Sequence, residues 1–409
     1  MGSPLKFFIV DDDRIAIKMH ARYLAPVAAS VSSKTSATEA LQEIIAVRPD
    51  CVLLDLMMPG LDGLSLLRQL RQDPSLSRMC IIVVSSKAYA SDRQQAMALG
   101  ADGYIVKPVN PDHFCAEVLR IVEDRIELTF WGVHGTLPVP GPYTVRYGGN
   151  TNCVSLSLAR GTFMVLDAGT GIKVLSDHLM ASGGSPTEIK IFISHPHWDH
   201  INGLPFFAPL YVQGNDIEIY GPAHGGIGMR ALISGQMDGI YFPINIKKFA
   251  ASVTFHDLRE ETFSIDDIQI RTMLLNHPGH CLGYRFDYRG RSVCYLTDNE
   301  IYPEGEPRYN PFYLDHLSDF VRGADALITD CTYTDTEYLT KIGWGHSSIS
   351  AVVAWAHRAA VKTLYLYHHD PSQNDQAIDA KLALAQSQLA TLKSGTHCVA
   401  PAEMQRFLF

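Results

Sequence analysis

Residues 189–200 read IKIFISHPHWDH, an apolar run that ends in a dense polar motif. The run Ile189–Ile193 predicts a buried strand. Directly behind it stand His195, His197, Asp199 and His200, a density that neither core nor ordinary surface explains. His195 and His197 alternate and face one way, while Asp199 and His200 bend round to a second position. Imidazoles and carboxylates at this density suit zinc or a similar first-row metal.

A two-metal site needs further donors, and the chain offers them at other strand ends. His277 lies in LLNHPGH (274–280), Asp298 ends VCYLTD (293–298), and His368 ends LYLYH (364–368). A carboxylate shared by both ions lets them sit roughly 3.5–4 Å apart and act together on one phosphoryl group.

Working toward the N-terminus, residues 5–123 follow a different rhythm. Short apolar runs at Leu5–Val10, Cys51–Leu54, Cys80–Val84 and Gly103–Val106, with a weaker one near Val31, alternate with amphipathic stretches. The stretches Arg14–Tyr23, Ala37–Val47, Leu64–Gln72, Asp92–Leu99 and Asp112–Val122 predict helices, the last capped by Asp112. That alternation implies an open parallel sheet, which binds ligands at the carboxyl ends of its strands. Asp11, Asp12, Asp55, Ser85 and Lys107 all fall at such ends. Three carboxylates there would hold Mg²⁺. With Lys107 and Ser85, that cation would neutralise a phosphoryl group moving onto Asp55.

The 409 residues are enough for two domains. Hydrophobic residues at 46% and charged residues at 19% describe an ordinary globular chain. Lys and Arg number 34 against 43 Asp and Glu, a net charge of −9. Of these, 13 basic and 14 acidic residues precede residue 124, and 21 and 29 follow. Neither part carries the basic field that long nucleic acid requires. No apolar run is long enough for a membrane span, so a cytoplasmic protein is expected. The eight cysteines form no CxxC pair and predict buried free thiols in a reducing compartment.

Residues 5–123 resemble the receiver domain of two-component response regulators. VDDD (10–13), LLDLMMPGLDG (53–63), VVSS (83–86) and GYIVKP (103–108) carry the likeness. It implies that Asp55 accepts phosphate from a sensor histidine kinase and that Asp11, Asp12 and Asp55 hold Mg²⁺. Lys107 would contact the phosphoryl group, and Ser85 and Tyr104 would reorient on phosphorylation.

Residues 128–409 resemble the metallo-β-lactamase superfamily, in the branch of ribonuclease Z and the cyclic phosphodiesterases. The likeness rests on TFWGVHGTLPVPGPYTVRYGGNTNCV (129–154), LDAGTGI (166–172), the spacing from His277 to Gly283-Tyr284, and Gly345-His346-Ser347-Ser348. It implies one metal on His195, His197 and His277, a second on Asp199, His200 and His368, and Asp298 between them. The GY spacing favours His277 over His280. His346 would protonate the leaving oxygen, oriented by Asp330, while Asp167 would brace the metal loop and His369 would stand behind the ligands. His134 occupies a position where close relatives often carry Arg.

The expected architecture is therefore α/β throughout. A doubly wound (βα)5 receiver (1–123) leads through a short junction (124–127) into an αββα sandwich (128–409). Only Lys247-Lys248 stand out as basic between residues 203 and 275, which argues against a tRNA-gripping arm. The expected function is a phosphorylation-regulated, dinuclear hydrolase of a small cyclic nucleotide or dinucleotide, with zinc as first choice and manganese or iron as others. A di-iron sensor and a lactone or thioester hydrolase are the rival readings. The family resemblance also admits a homodimer.

Overall fold

The computed structural model describes residues 5–58, 63–76, 79–87, 89–123, 126–158, 162–181, 187–240 and 242–409. Asp124 and Arg125 of the expected junction, and Pro59–Asp62 of the receiver motif, lie outside these. The chain divides into two compact units, one reaching Ile126 and one running from Glu127 to Arg406; Leu158 and Phe407–Phe409 cluster with the first.

The first unit holds strands β1 (Leu5–Val10), β2 (Ala28–Lys34), β3 (Cys51–Leu54), β4 (Cys80–Ser85) and β5 (Gly103–Val106). They form one parallel sheet in the order β2-β1-β3-β4-β5. Helices α1 (Arg14–Leu24), α2 (Ala37–Val47), α3 (Gly63–Gln72), α4 (Ala90–Ala98) and α5 (Pro111–Glu123) connect and flank it. Strand residues alternate between two cores. Phe8, Val10, Val52, Leu54, Ile81 and Val83 enter one, and Phe7, Ile9, Cys51, Leu53, Cys80 and Ile82 enter the other. Burial on both faces explains why these strands read as unbroken apolar runs.

One boundary differs from expectation. Asp112 does not cap α5: the Asn110 side chain accepts from the Asp112 amide at 3.0 Å, and Pro111 opens the helix. Proline suits that position because its missing N–H would have had no helical partner. Asp112 instead adds a favourable charge to the first turn.

The second unit has two seven-stranded sheets. The first contains β6 (Ile126–Gly132), β7 (Cys153–Leu158), β8 (Phe163–Leu166), β9 (Glu188–Phe192), β10 (Asp216–Pro222) and β11 (Ser252–Leu258). The second contains β12 (Thr262–Ile265), β13 (Ile268–Leu274), β14 (Leu282–Tyr288), β15 (Arg291–Leu296), β16 (Ala326–Asp330), β17 (Thr363–Tyr367) and β18 (His397–Val399). The last strand, β19 (Arg406–Leu408), returns to the first sheet beside β6. The chain therefore crosses from one sheet to the other once, between Leu258 and Thr262, before that return.

Helices cover both outer faces. α6 (Gly171–Ala181), α7 (Trp198–Ile201) and α8 (Met229–Gln236) share a core with β8, β9 and β10. α9 (Pro311–Val321), α10 (Asp335–Tyr338), α11 (Ile349–Arg358) and α12 (Asp375–Thr391) follow the strands of the second sheet, with α12 against β18. Between the sheets runs an aromatic layer. Phe192 meets Phe286 edge-on at 5.2 Å and Tyr284 at 5.4 Å, while Phe130 meets Tyr365 at 5.3 Å. Such pairs add about 0.5–1.5 kcal/mol each beyond the area they bury. The Tyr284 hydroxyl donates to the Ile193 carbonyl at 2.6 Å, just before the histidine motif.

The eight cysteines are free, and all but the half-buried Cys115 are fully buried. Among the described residues, no helix is long and apolar enough to cross a membrane.

Candidate metal centre and phospho-acceptor site

The histidine motif follows β9 through the buried residue Ser194, and Trp198 starts the single turn α7 that carries Asp199 and His200. Asp298 follows β15, His368 follows β17, and His277 sits in the connection from β13 to β14. Two donor groups result, each with its atoms within 4.8 Å of one another: His195, His197, His277 and Asp298, and Asp199, His200, His368 and Asp298. Each takes two residues from each sheet.

Donor spacing fits small tetrahedral ions. In the first group His195 Nε2 lies 2.8 Å from His197 Nδ1, His277 Nε2 lies 3.1 Å from that same Nδ1, and Asp298 Oδ2 lies 3.5 Å from His195 Nε2. In the second, Asp199 Oδ2 lies 3.1 Å from His200 Nε2 and 3.2 Å from His368 Nε2, and Asp298 Oδ1 lies 3.0 Å from His368 Nε2. A tetrahedron with ligand bonds of about 2.0–2.1 Å has edges of about 3.3 Å.

Electrostatics point the same way. Burial opposes the charge on Asp298, yet the His368 and His200 imidazoles hold its carboxyl well below the usual range. Burial likewise opposes a charge on His368, but Asp298 and Asp199 raise it to about 10. On the other side burial, reinforced by neighbouring imidazoles, pushes His195 well down and His197 and His277 down. The His195, His197 and His277 rings are therefore neutral nitrogen donors, while His200 and His368 carry the positive charge that balances the buried Asp199 and Asp298 carboxylates, a role a divalent cation takes over on displacing their protons. The fold implies divalent metal binding, and these residues fit it.

Four of the donors, His200, His277, His368 and Asp199, are held from behind. Asp167 Oδ2 contacts His200 Nδ1 at 2.7 Å and accepts from the Ser194 and Tyr295 hydroxyls at 2.8 Å, while its Oδ1 accepts from the Ser194 amide at 2.7 Å. His277 Nδ1 lies 3.0 Å from the Gly345 carbonyl, and His368 Nδ1 lies 3.2 Å from Thr332 Oγ1. Asp199 Oδ2 accepts from the Thr136 amide at 2.7 Å. Such contacts fix the ring tautomer and orientation. Close approach also demands glycine: a Cβ on Gly135 would meet His368 Cε1 at 2.0 Å, and one on Gly345 would meet His277 Nδ1 at 2.3 Å.

The remaining sequence candidates separate clearly. His280 is exposed and contacts the Ala223 carbonyl at 3.1 Å, outside either donor group. His346 stacks on His368 with ring centroids 4.8 Å apart. Its Nδ1 lies 3.6 Å from Asp330 Oδ2, within ion-pair range but beyond a hydrogen bond, because Asp330 accepts from the Ser347 and Asn299 amides. His369 backs the site from further away, its carbonyl accepting from the Gly135 amide and its Nδ1 facing Lys381 Nζ at 3.0 Å. His134 is fully buried against the Gln373 carbonyl, where burial pushes it down to about 4, so it offers substrate no surface.

Sequence reasoning passed over several contributors. Asn152 Nδ2 lies 3.1 Å from His200 Nε2, and Tyr295 reaches Asp167 from the opposite sheet. Glu300, wholly buried, accepts from the Gly343 and Gly345 amides. Its place two residues after Asp298 was the available signal.

In the first unit, Asp11, Asp12 and Asp55 gather at the strand ends as a third cluster. Lys107 Nζ bridges Asp11 Oδ2 at 2.8 Å and Asp55 Oδ2 at 2.7 Å. Burial opposes its charge, but those carboxylates raise the ammonium above its ordinary value. Asp12 is exposed, Ser85 is fully buried, and the Tyr104 hydroxyl turns inward to donate to the Lys87 carbonyl at 2.8 Å. A Cβ on Gly63 would meet the Asp55 carbonyl at 2.2 Å, which accounts for the glycine closing that motif.

The beta-lactamase superfamily domain model matches residues 162–369, and the chain belongs to that superfamily. The response regulator receiver domain model matches residues 7–119, so the protein is a receiver fused to a beta-lactamase-fold domain. Response regulator MprA of Mycolicibacterium vanbaalenii is 39% identical over 119 residues, covering 29% of this chain and 51% of that protein. The chain thus spans about half the length of the response regulators it matches. Ribonuclease Z of Thermoplasma acidophilum is 26% identical over 296 residues, covering 62% of this chain and 89% of that protein. Among solved structures, the metallo-beta-lactamase fold protein YhfI of Bacillus subtilis gives a TM-score of 0.49 at 18% identity, over 70% of this chain and 99% of that one.

Proposed function

We propose that this chain is a response regulator whose output is a dinuclear metal-dependent phosphodiesterase for a small phosphodiester, a cyclic nucleotide or dinucleotide. The observation that carries this reading is the convergence of two donor groups on the single carboxylate of Asp298. Likeness to a ribonuclease Z over most of that protein supports phosphodiester chemistry. The acidic balance after residue 123 favours a small substrate over tRNA.

Two divalent ions, zinc before manganese or iron, would polarise a phosphoryl oxygen and acidify the attacking water. His195, His197 and His277 hold one side and Asp199, His200 and His368 the other. His346 Nε2 hands a proton to the leaving oxygen, since Nδ1 is turned inward toward Asp330. In the receiver, Asp11, Asp12 and Asp55 would hold Mg²⁺, which would offset the charge of a phosphoryl group passing from a histidine kinase to Asp55, with Lys107 Nζ, now between Asp11 and Asp55, placed to meet that group.

The test is hydrolysis of bis(p-nitrophenyl) phosphate by protein loaded with Zn²⁺, Mn²⁺ or Fe²⁺. Metal-dependent turnover that disappears in Asp199→Ala supports the reading. Two bound ions with no turnover under any loading would reject it in favour of a sensor or a carbon-ester hydrolase.

A further inference from the structure

We infer that Glu300 is a positioning residue: its buried carboxyl clamps the 343–346 loop and through it sets both His277 and His346. This rests on the hydrolase reading for its catalytic consequence, and on geometry alone for the clamp.

Glu300 is wholly buried, two residues beyond Asp298. Its Oε1 accepts from the Gly343 amide at 2.7 Å and from the Tyr338 hydroxyl at 2.8 Å, and its Oε2 accepts from the Gly345 amide at 2.8 Å. Gly343 and Gly345 have φ of 90° and 88°, a conformation side chains rarely adopt. Two such turns in close succession aim both N–H groups at one carboxyl, a concavity built for an anion.

What the clamp holds is the active half of the loop. The Gly345 carbonyl contacts His277 Nδ1 at 3.0 Å, so its position sets that imidazole. The next residue is His346, whose ring lies over His368. On the far side the Ser347 amide donates to Asp330 at 2.9 Å, and the Ser347 hydroxyl donates to the Asn299 carbonyl at 2.5 Å. Asn299 in turn accepts the Asn276 amide at 3.1 Å, beside His277. The consecutive residues 298–300 thus serve three ends: a shared carboxylate, a brace for the His277 loop and a brace for the His346 loop. A carboxyl is required because one group must accept from several donors in a dry site, where an unmet amide is costly.

The experiment uses the full chain with Glu300→Gln and Tyr338→Phe. Glutamine keeps the shape but turns an N–H₂ toward a backbone amide, whereas phenylalanine removes only the tyrosine contact. Amide exchange at Gly343 and Gly345 should rise about tenfold or more in Glu300→Gln and stay near wild type in Tyr338→Phe. Turnover of a diester with a ribose or alkyl leaving oxygen should fall about 10²-fold in Glu300→Gln, and that of a p-nitrophenyl diester less than threefold, because nitrophenolate leaves without a proton. With metal in excess both sites should stay filled, so the esters are compared at full loading, while retention against a chelator should weaken because the Gly345 carbonyl also sets His277. Unaltered exchange in Glu300→Gln overturns the clamp, and equal losses on both esters reduce it to a fold contact. If Glu300→Gln raises exchange throughout the domain, the shorter Glu300→Asp gives the same readout. Wild-type protein inert on both esters would reject the hydrolase reading, while the exchange data would still decide the clamp.

Discussion

Asp298 and His368 meet at 3.0 Å, and each reaches that contact from left-handed backbone, with φ of 57° and 56°. Asp167, behind His200, shares the conformation at φ 57°. Three non-glycine residues at strand ends are held where side chains cost about 1 kcal/mol or more, and all three face one cluster. Asparagine tolerates this conformation better than most residues. Asp298→Asn should therefore fold while losing the shared charge. Elemental analysis should show fewer than two ions per chain, and diesterase turnover should fall at least about 10²-fold. Two retained ions would remove Asp298 from the bridging position.

Asp167→Asn tests support rather than ligation. The residue never touches an ion site directly, but it fixes the protonated nitrogen of His200. Affinity at the Asp199 side should drop about 10–100-fold, read by competition with a chelator, with the stoichiometry restored at high metal.

The receiver should be phosphorylated by acetyl phosphate only with Mg²⁺ present, and Asp55→Asn should abolish the mass increment. If the phospho-acceptor controls the hydrolase, the phosphodonor changes wild-type turnover and leaves Asp55→Asn unchanged. Identical rates in all conditions would disconnect the two activities.

His20 gives the receiver an acid-sensitive contact. It is buried against Phe114, with ring centroids 4.8 Å apart. Burial first, and the Lys107 charge second, lower it to about 4. The folded state therefore keeps the ring neutral while the unfolded chain takes a proton below about pH 6.5. Its contribution is complete above pH 6.5 and is lost as pH falls toward 4, about 2–3 kcal/mol in all. Amide exchange in β1 should report that loss in the wild type and a flatter profile in His20→Leu.

How much of this was legible depends on whether proximity in sequence stood in for proximity in space. The run from His195 to His200 announced itself because its donors are consecutive. His277, Asp298 and His368 were legible as polar residues at the ends of apolar runs. The spacing to Gly283-Tyr284 already favoured His277 over His280, and of the two only His277 falls in a donor group. Asp112 was misread as a cap because Asn110, on the other side of proline, was the better-placed side chain. Tyr295 was silent and Glu300 was marked only by its place two residues after Asp298, since their partners lie on the opposite sheet and on another loop. No periodicity records such pairings.

The crossing between Leu258 and Thr262 leaves each sheet with half of each donor group. Severed at that point, the gene would specify two pieces, each holding an incomplete set of ligands and an uncovered aromatic face. The reactive centre is thus a property of the seam rather than of either half. An ion bound there would draw its ligands from both halves at once, so its affinity would measure how well the two sheets are joined.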